Sequence, residues 1–267
     1  MMMPAATAKT VRRVLISNDD GIDASGLALL EQFAEAIAEE VWVFAPDNNC
    51  SGYGRSLTLH SELKVTHHGP RRFTCNGTPT DCIILAVNHF MKTTPPDLML
   101  SGINLGQNIA DDITCSGTIG AAWEAAVHDI PSIALSQRFN RHAAVRDVGG
   151  AAADPFAVAR KHGLGLIRKL LAEGWPDNIL MNVNFPADDN GEIAGIRPAV
   201  IGRHKDADEI LPGSGENTYR IGALKHRENP ALDSDMNGLR EGYITITPIG
   251  LDVTDYPMLE QLRTVLE

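Results

Sequence analysis

The chain has 267 residues, with 34 acidic against 23 basic side chains and a formal net charge of −11. Hydrophobic residues make up 43% and charged residues 21%, enough for one large domain or a domain with an appendage. No apolar run reaches the roughly 18 residues that a membrane span needs, and the bulk negative field disfavours nucleic-acid polymers while leaving small phosphate esters open.

The opening MMMPAATAKTVRR carries basic residues but no apolar segment behind them, so residues 1–13 read as a disordered lead-in, not an export signal. Residues 14–17 form a short apolar run that ends in Asn18, Asp19, Asp20 and Gly21. Across 24–40, Leu27, Leu30, Ala34 and Ile37 recur at spacings of three and four, which predicts an amphipathic helix. A second buried strand at 41–45 runs into a polar loop with Asn48, Cys50, Ser51 and Gly52, then Arg55. Residues 57–74 alternate around a Gly69-Pro70 turn, as an antiparallel excursion would. The GTPTDC segment places Thr80 as the cap of a helix over 81–91.

Further short apolar runs at 98–101, 133–136 and 179–183 alternate with helix-period stretches at 118–128 and 154–172. Nearly continuous apolar strands separated by helices imply right-handed βαβ units, hence an α/β fold with an open, mostly parallel, doubly wound sheet. After Phe185 the composition turns to Gly, Asp, Asn, Pro and Arg, with a brief apolar run at 196–201, a strand pattern at 243–247 and a last helix over 256–265. This divides the chain into a catalytic domain at 14–185 and a β-rich C-terminal extension at 186–267 that contains an arm.

Four cysteines, Cys50, Cys75, Cys82 and Cys115, form no CxxC pair and read as reduced thiols of a cytoplasmic protein. The histidines are scattered, and only His67 and His68 are adjacent, so a histidine-based metal site is not expected.

Four loops that follow predicted strands carry the chemistry. Asp19 and Asp20 stand at a turn where both carboxylates can reach one hard cation such as Mg²⁺ or Mn²⁺; a turn and helix cap is the plainer role. Ser51 is an oxygen donor. Asn104, beyond Ser101 and Gly102, offers a carbonyl oxygen to a metal or an amide N–H to a phosphate. Ser116, Gly117 and Thr118 open a helix whose N-terminus is an anion site without any lysine, or simply a capped end. No Gly-Lys-Ser/Thr follows, which excludes a Walker P-loop. Because such loops open onto one crevice, the set suits metal-assisted phosphoryl transfer.

SNDDGIDASGL, APDNNCSGYGRSLTL, GTPTDC, PDLMLSGINLGQNIADD, SGTIGAAWEA and PSIALS resemble, in order, the blocks of the SurE family, the stationary-phase survival proteins. GIRPAVIG and EGYITITPIGLDVT resemble that family's C-terminal strands. The resemblance implies a Rossmann-like domain and an extension exchanged between subunits of a homodimer or homotetramer. It implies divalent-metal-dependent hydrolysis of nucleoside 5′- and 3′-monophosphates, with short polyphosphate a substrate of some members. The family's ligands for one metal ion per subunit carry over to Asp19, Asp20, Ser51 and Asn104, with Asp19 and Asp20 catalytic. Its phosphate contacts carry over to Asn108, Ser116, Gly117 and Thr118.

Two departures stand out. Many members have arginines where this chain has Asn48 and Cys50, and a tyrosine where it has Cys115; Arg55 is a candidate substitute for the missing charge. His204, His226 and Arg227 are candidate contributions from a neighbouring subunit's arm. Two other readings compete: a nucleotide sensor without turnover, and a receiver-type signalling module, which also holds Mg²⁺ with an acidic pair. The receiver reading is disfavoured because the 98–101 strand ends in Ser101, not in a phospho-accepting aspartate.

Overall fold

The structure, a computed structural model, describes residues 10–139, 154–188, 190–203, 205–226 and 231–266. The first strand, β1 (Val11–Ser17), starts three residues earlier than its apolar run. Helix α1 (Ser25–Ile37) is shorter than its periodicity implies, because β2 (Ala38–Pro46) begins at once after it. The excursion is a hairpin of β3 (Val65–Gly69) and β4 (Arg72–Cys75), antiparallel to each other, with β4 parallel to β2.

Helix α2 (Pro79–Leu85) continues as a π-helical turn over Ala86–Phe90. Thr78, not Thr80, caps it. Pro79 occupies the first helical turn, and Thr78 and Asp81 bond reciprocally in a capping box. Next come β5 (Leu98–Leu105), a 3₁₀ turn at Ala110–Cys115, α3 (Gly117–Val127), β6 (Ser132–Gln137), α4 (Ala157–Glu173) and β7 (Ile179–Phe185).

The C-terminal part supplies β8 (Gly195–Pro198), a two-stranded hairpin of β9 (Lys205–Pro212) and β10 (Tyr219–His226), α5 (Asp235–Arg240), β11 (Tyr243–Gly250) and α6 (Tyr256–Leu266). Among the described residues nine strands form one sheet in the order β3-β4-β2-β1-β5-β6-β7-β11-β8, and β9 and β10 form a separate sheet. The strands β4, β2, β1, β5, β6 and β7 are parallel, as their continuous apolar runs imply. Both faces of that sheet are covered. Val14 and Ile16 pack with α1 and α4 residues such as Leu27, Phe33 and Leu166, while Leu15 packs the other way with Ile83 of α2 and Ile119 of α3. No helix among the described residues is long and apolar enough to cross a membrane.

Candidate active site

β1 pairs with β2 on one side and with β5 on the other, so successive strands are laid down in opposite directions from this point. Open α/β sheets part into a crevice at the carboxyl ends of such strands. A crevice of about 240 Å³ opens there. Its walls are Asp19 and Asp20 after β1, Ser51 and Gly52 after β2, Asn104, Leu105 and Asn108 at the end of β5, and Asp112, Cys115 and Ser116 before α3. Six of the eight sequence-predicted residues thus meet at one place, from the three connections β1–α1, β2–β3 and β5–α3. Gly117 and Thr118 lie behind the wall.

The turn after β1 does not need either aspartate. Asn18 closes it, donating from Nδ2 to Gly21 O at 2.8 Å and accepting from Gly21 N at 3.2 Å. Helix α1 is capped at Ala24 with no side-chain bond, so the plainer role of Asp19 and Asp20 as turn or cap residues falls away. Asp19 is only 4% exposed, and burial pushes its carboxyl above the ordinary carboxylate value. The Thr118 hydroxyl, which donates to Asp19 Oδ1 at 2.7 Å, pulls in the opposite direction, as do the N–H groups of Gly117 and Thr118. Asp20 is raised as well, first by burial and then by the charge of Asp19 beside it. Among the described residues, no basic side chain is a leading influence on either carboxyl. Two partly dehydrated carboxylates that repel one another are stabilised together by a cation.

The neutral donors complete a set that suits such an ion. The register of β5 against β6 slips between Ser101 and Asn104, which re-aims the strand end. Asn104 donates from Nδ2 to Gly106 O at 2.8 Å, leaving its Oδ1 as the atom free for a cation. The loop carrying Ser51 is fastened to the acidic pair, since Cys50 N donates to Asp19 O at 2.7 Å and Asn49 Nδ2 to Asp20 Oδ1 at 3.3 Å. Two carboxylates, a hydroxyl and an amide oxygen are hard donors of the kind Mg²⁺ and Mn²⁺ take. Among the described residues no group of three or more His, Cys, Asp or Glu forms a rival metal cluster.

Helix α3 begins at the crevice. Ser116 is its cap, with the side chain accepting from Ile119 N at 3.1 Å. A Cβ on Gly117 would lie 2.7 Å from Asp19 Cβ, so only glycine lets the helix start come this close to β1. Thr118 is fully buried and spends its hydroxyl on Asp19, so it reaches the crevice through that carboxylate.

The departures have visible consequences. Cys50 is buried with its Sγ near Asn48 O and Gly77 O, and burial with the nearby Asp19 pushes its thiol up to about 11, so it supplies no charge. Arg55 does not replace the missing cation. Its guanidinium pairs with Glu124 at 3.1 Å and lies 5.3 Å above the Trp123 ring on α3. Lys205, first residue of β9, is raised chiefly by Asp208 and also by Asp112 and Cys115, which brings a basic side chain towards the rim. His204 and Arg227 lie outside the described residues, as does the side chain of His226.

Sequence reasoning missed Asp112 as a wall residue, although its place in an acidic pair just before SGT was a signal. It also missed Asn182 and Asn184 of β7, whose alternation with Met181, Val183 and Phe185 looked like a plain strand.

Known proteins resemble this chain in sequence and in fold. The family model "Survival protein SurE" matches residues 14–208. A 5′-nucleotidase SurE of Rhodospirillum rubrum is 41% identical over 94% of this chain and 94% of its own. One of Methylobacterium radiotolerans is 41% identical over 92% of this chain and 96% of its own. The crystal structure of the SurE protein from Aquifex aeolicus superposes with a TM-score of 0.80 at 31% identity, covering 96% of this chain and all of that one.

Proposed function

This chain belongs to the SurE family, and we propose that its crevice hydrolyses nucleoside 5′-monophosphates to nucleoside and phosphate with one divalent cation per subunit. Nucleoside 3′-monophosphates and short polyphosphate are further substrates in this reading. The observation that carries it is the charge of the crevice: Asp19, Asp20 and Asp112 line it, and among the described residues no lysine or arginine does. A phosphate dianion entering such a wall is repelled unless a cation comes with it. The names of the relatives support the substrate class, and the acidic crevice with its neutral oxygen donors supports the cofactor.

Asp19, Asp20, Ser51 and Asn104 would hold the ion. When bound, Mg²⁺ or Mn²⁺ neutralises phosphoryl charge and lowers the pKa of water. The remaining work falls to the chain itself. Thr118 and the start of α3 fix the Asp19 carboxylate, which takes a proton from the attacking water as its oxygen bonds to phosphorus. The P–O bond to the nucleoside breaks, and the leaving oxygen keeps the electron pair and is protonated from solvent. Ser116 at the helix start and Asn108 face the phosphoryl oxygens, where positive dipole ends stabilise developing charge. In the rival route Asp19 attacks phosphorus directly and forms an aspartyl-phosphate; ³²P retained on an Asp19 peptide would establish that route instead.

Phosphate release from AMP, with and without EDTA, tests the reading. Turnover that EDTA abolishes supports it, whereas AMP binding without release would leave a nucleotide sensor. The reading includes a homodimer or homotetramer joined through the C-terminal extension. Ile210, Tyr219 and Ile221 of the hairpin are exposed, and α6 buries none of its residues in the single chain. Four free cysteines accord with a cytoplasmic protein.

A further inference from the structure

Resting on the phosphatase reading, we propose that Asn182 and Asn184 are positioning residues that hold Asn108 in the crevice for the phosphoryl group. Asn108 follows the glycine turn that ends β5, where no strand partner is left for its backbone. Side chains take over. Asn108 N donates to Asn184 Oδ1 at 2.8 Å, and Asn108 O accepts from Asn182 Nδ2 at 2.8 Å and from Asn184 Nδ2 at 3.0 Å. Asn184 Nδ2 also reaches Asn182 Oδ1 at 3.3 Å, which locks the two amides to each other.

The two residues sit two apart on β7 and therefore share a face of the sheet. They are 0% and 1% exposed, so neither can touch substrate. Asn184 is in register with Ser136, and Ser136 with Asn104, so one row of polar side chains runs from the clamp to the candidate metal ligand. Ser136 Oγ accepts from Asn108 Nδ2 at 2.8 Å. With its backbone bonds and one amide hydrogen committed, Asn108 keeps one N–H and its Oδ1, and its orientation is set by buried partners alone. An amide dipole held this way needs no reorganisation as phosphoryl charge develops.

A double-mutant cycle in the full chain tests the assignment. kcat and KM for AMP, the inhibition constant for inorganic phosphate and the Mn²⁺ activation constant are measured for wild type, Asn108→Ala, Asn184→Ala and the double variant. Each single change should lower kcat/KM roughly ten- to a hundred-fold and weaken phosphate inhibition, with the Mn²⁺ constant unmoved. The double variant should be no worse than Asn108→Ala, because Asn184 acts through Asn108. Multiplying effects, or a Mn²⁺ constant that shifts with Asn184, would overturn the proposal. Wild-type kinetics in Asn108→Ala would overturn it by removing the residue it serves. A wild type that does not hydrolyse AMP, or that does so without metal dependence, would instead fault the phosphatase reading.

Asn184→Asp keeps the size and the acceptor for Asn108 N, and serves if the alanine variant fails to fold. Its introduced carboxyl faces Asn108 O and Asn182 Oδ1, two acceptors, and must be protonated to bond them. Its activity should therefore recover as pH falls, relative to wild type. A constant ratio across pH would contradict the clamp.

Discussion

Asp235 and Asp19, two of the buried aspartates of this molecule, are used in opposite ways. Asp235, at the start of α5, is wholly buried, and its carboxylate accepts N–H bonds from Ala110 at 2.8 Å, Gly202 at 3.0 Å and Met236 at 2.8 Å. It joins three segments of backbone, including Ala110 in a left-handed conformation at φ 51°. Asp19 is buried nearly as deeply but has a second carboxylate beside it and an open crevice in front. A carboxylate surrounded by backbone donors stabilises a fold, whereas one paired with a like charge at a crevice is set up to receive a cation. The difference is a contrast between structure and function made with the same side chain.

The largest expected effect breaks the contrast on the catalytic side. Asp19→Asn should lower metal-dependent AMP hydrolysis by roughly a thousand-fold or more, several kcal/mol of barrier. It should not destabilise the cation-free protein. The sign follows from the raised Asp19 pKa against its ordinary 3.8. Between those two values the native state binds the proton more tightly than the unfolded chain does, so wild-type stability falls as pH rises through that window. The Asp19→Asn variant should lack that decline, and thermal melts against pH with EDTA present would show it.

Asp235→Ala should do the reverse. It leaves two buried N–H groups and a half-buried one without their acceptor, and urea unfolding should show a loss of about 2 to 4 kcal/mol. The Mn²⁺ constant of the folded fraction should stay where it was. Gly117→Ala comes next: its methyl would meet Asp19 Cβ at 2.7 Å, and kcat/KM should fall roughly ten- to a hundred-fold as helix and carboxylate separate. Smallest is Thr118→Val, which removes one hydroxyl from Asp19 at nearly constant volume. That bond lowers the Asp19 pKa, so its loss raises it and should move the acid limb of the kcat/KM profile to higher pH. Thr118→Ser should restore the limb.

Much of this was legible in the sequence, because parallel strands buried on both faces leave unbroken apolar runs and their C-terminal loops must converge. Asp19, Asp20, Ser51 and Asn104 could be gathered on that ground alone. Thr118 could not be assigned its partner, since nothing local tells a phosphate contact from a hydroxyl turned onto a carboxylate 99 residues away. Asn182 and Asn184 were hidden for a similar reason: the loop they hold lies on another strand, and only the register of β5, β6 and β7 brings them to Asn108. The β9–β10 hairpin and α5 were hidden by composition, because a short arm rich in Gly, Asp and Asn has no apolar period to read.

The most direct test of the central claim is phosphate release from AMP by chelator-treated protein as Mn²⁺ is added back, with Asp19→Asn measured alongside. The wild type should release no phosphate before addition and recover saturably at one ion per subunit, and the variant should not recover. Full turnover in EDTA, or equal recovery in Asp19→Asn, would contradict that claim.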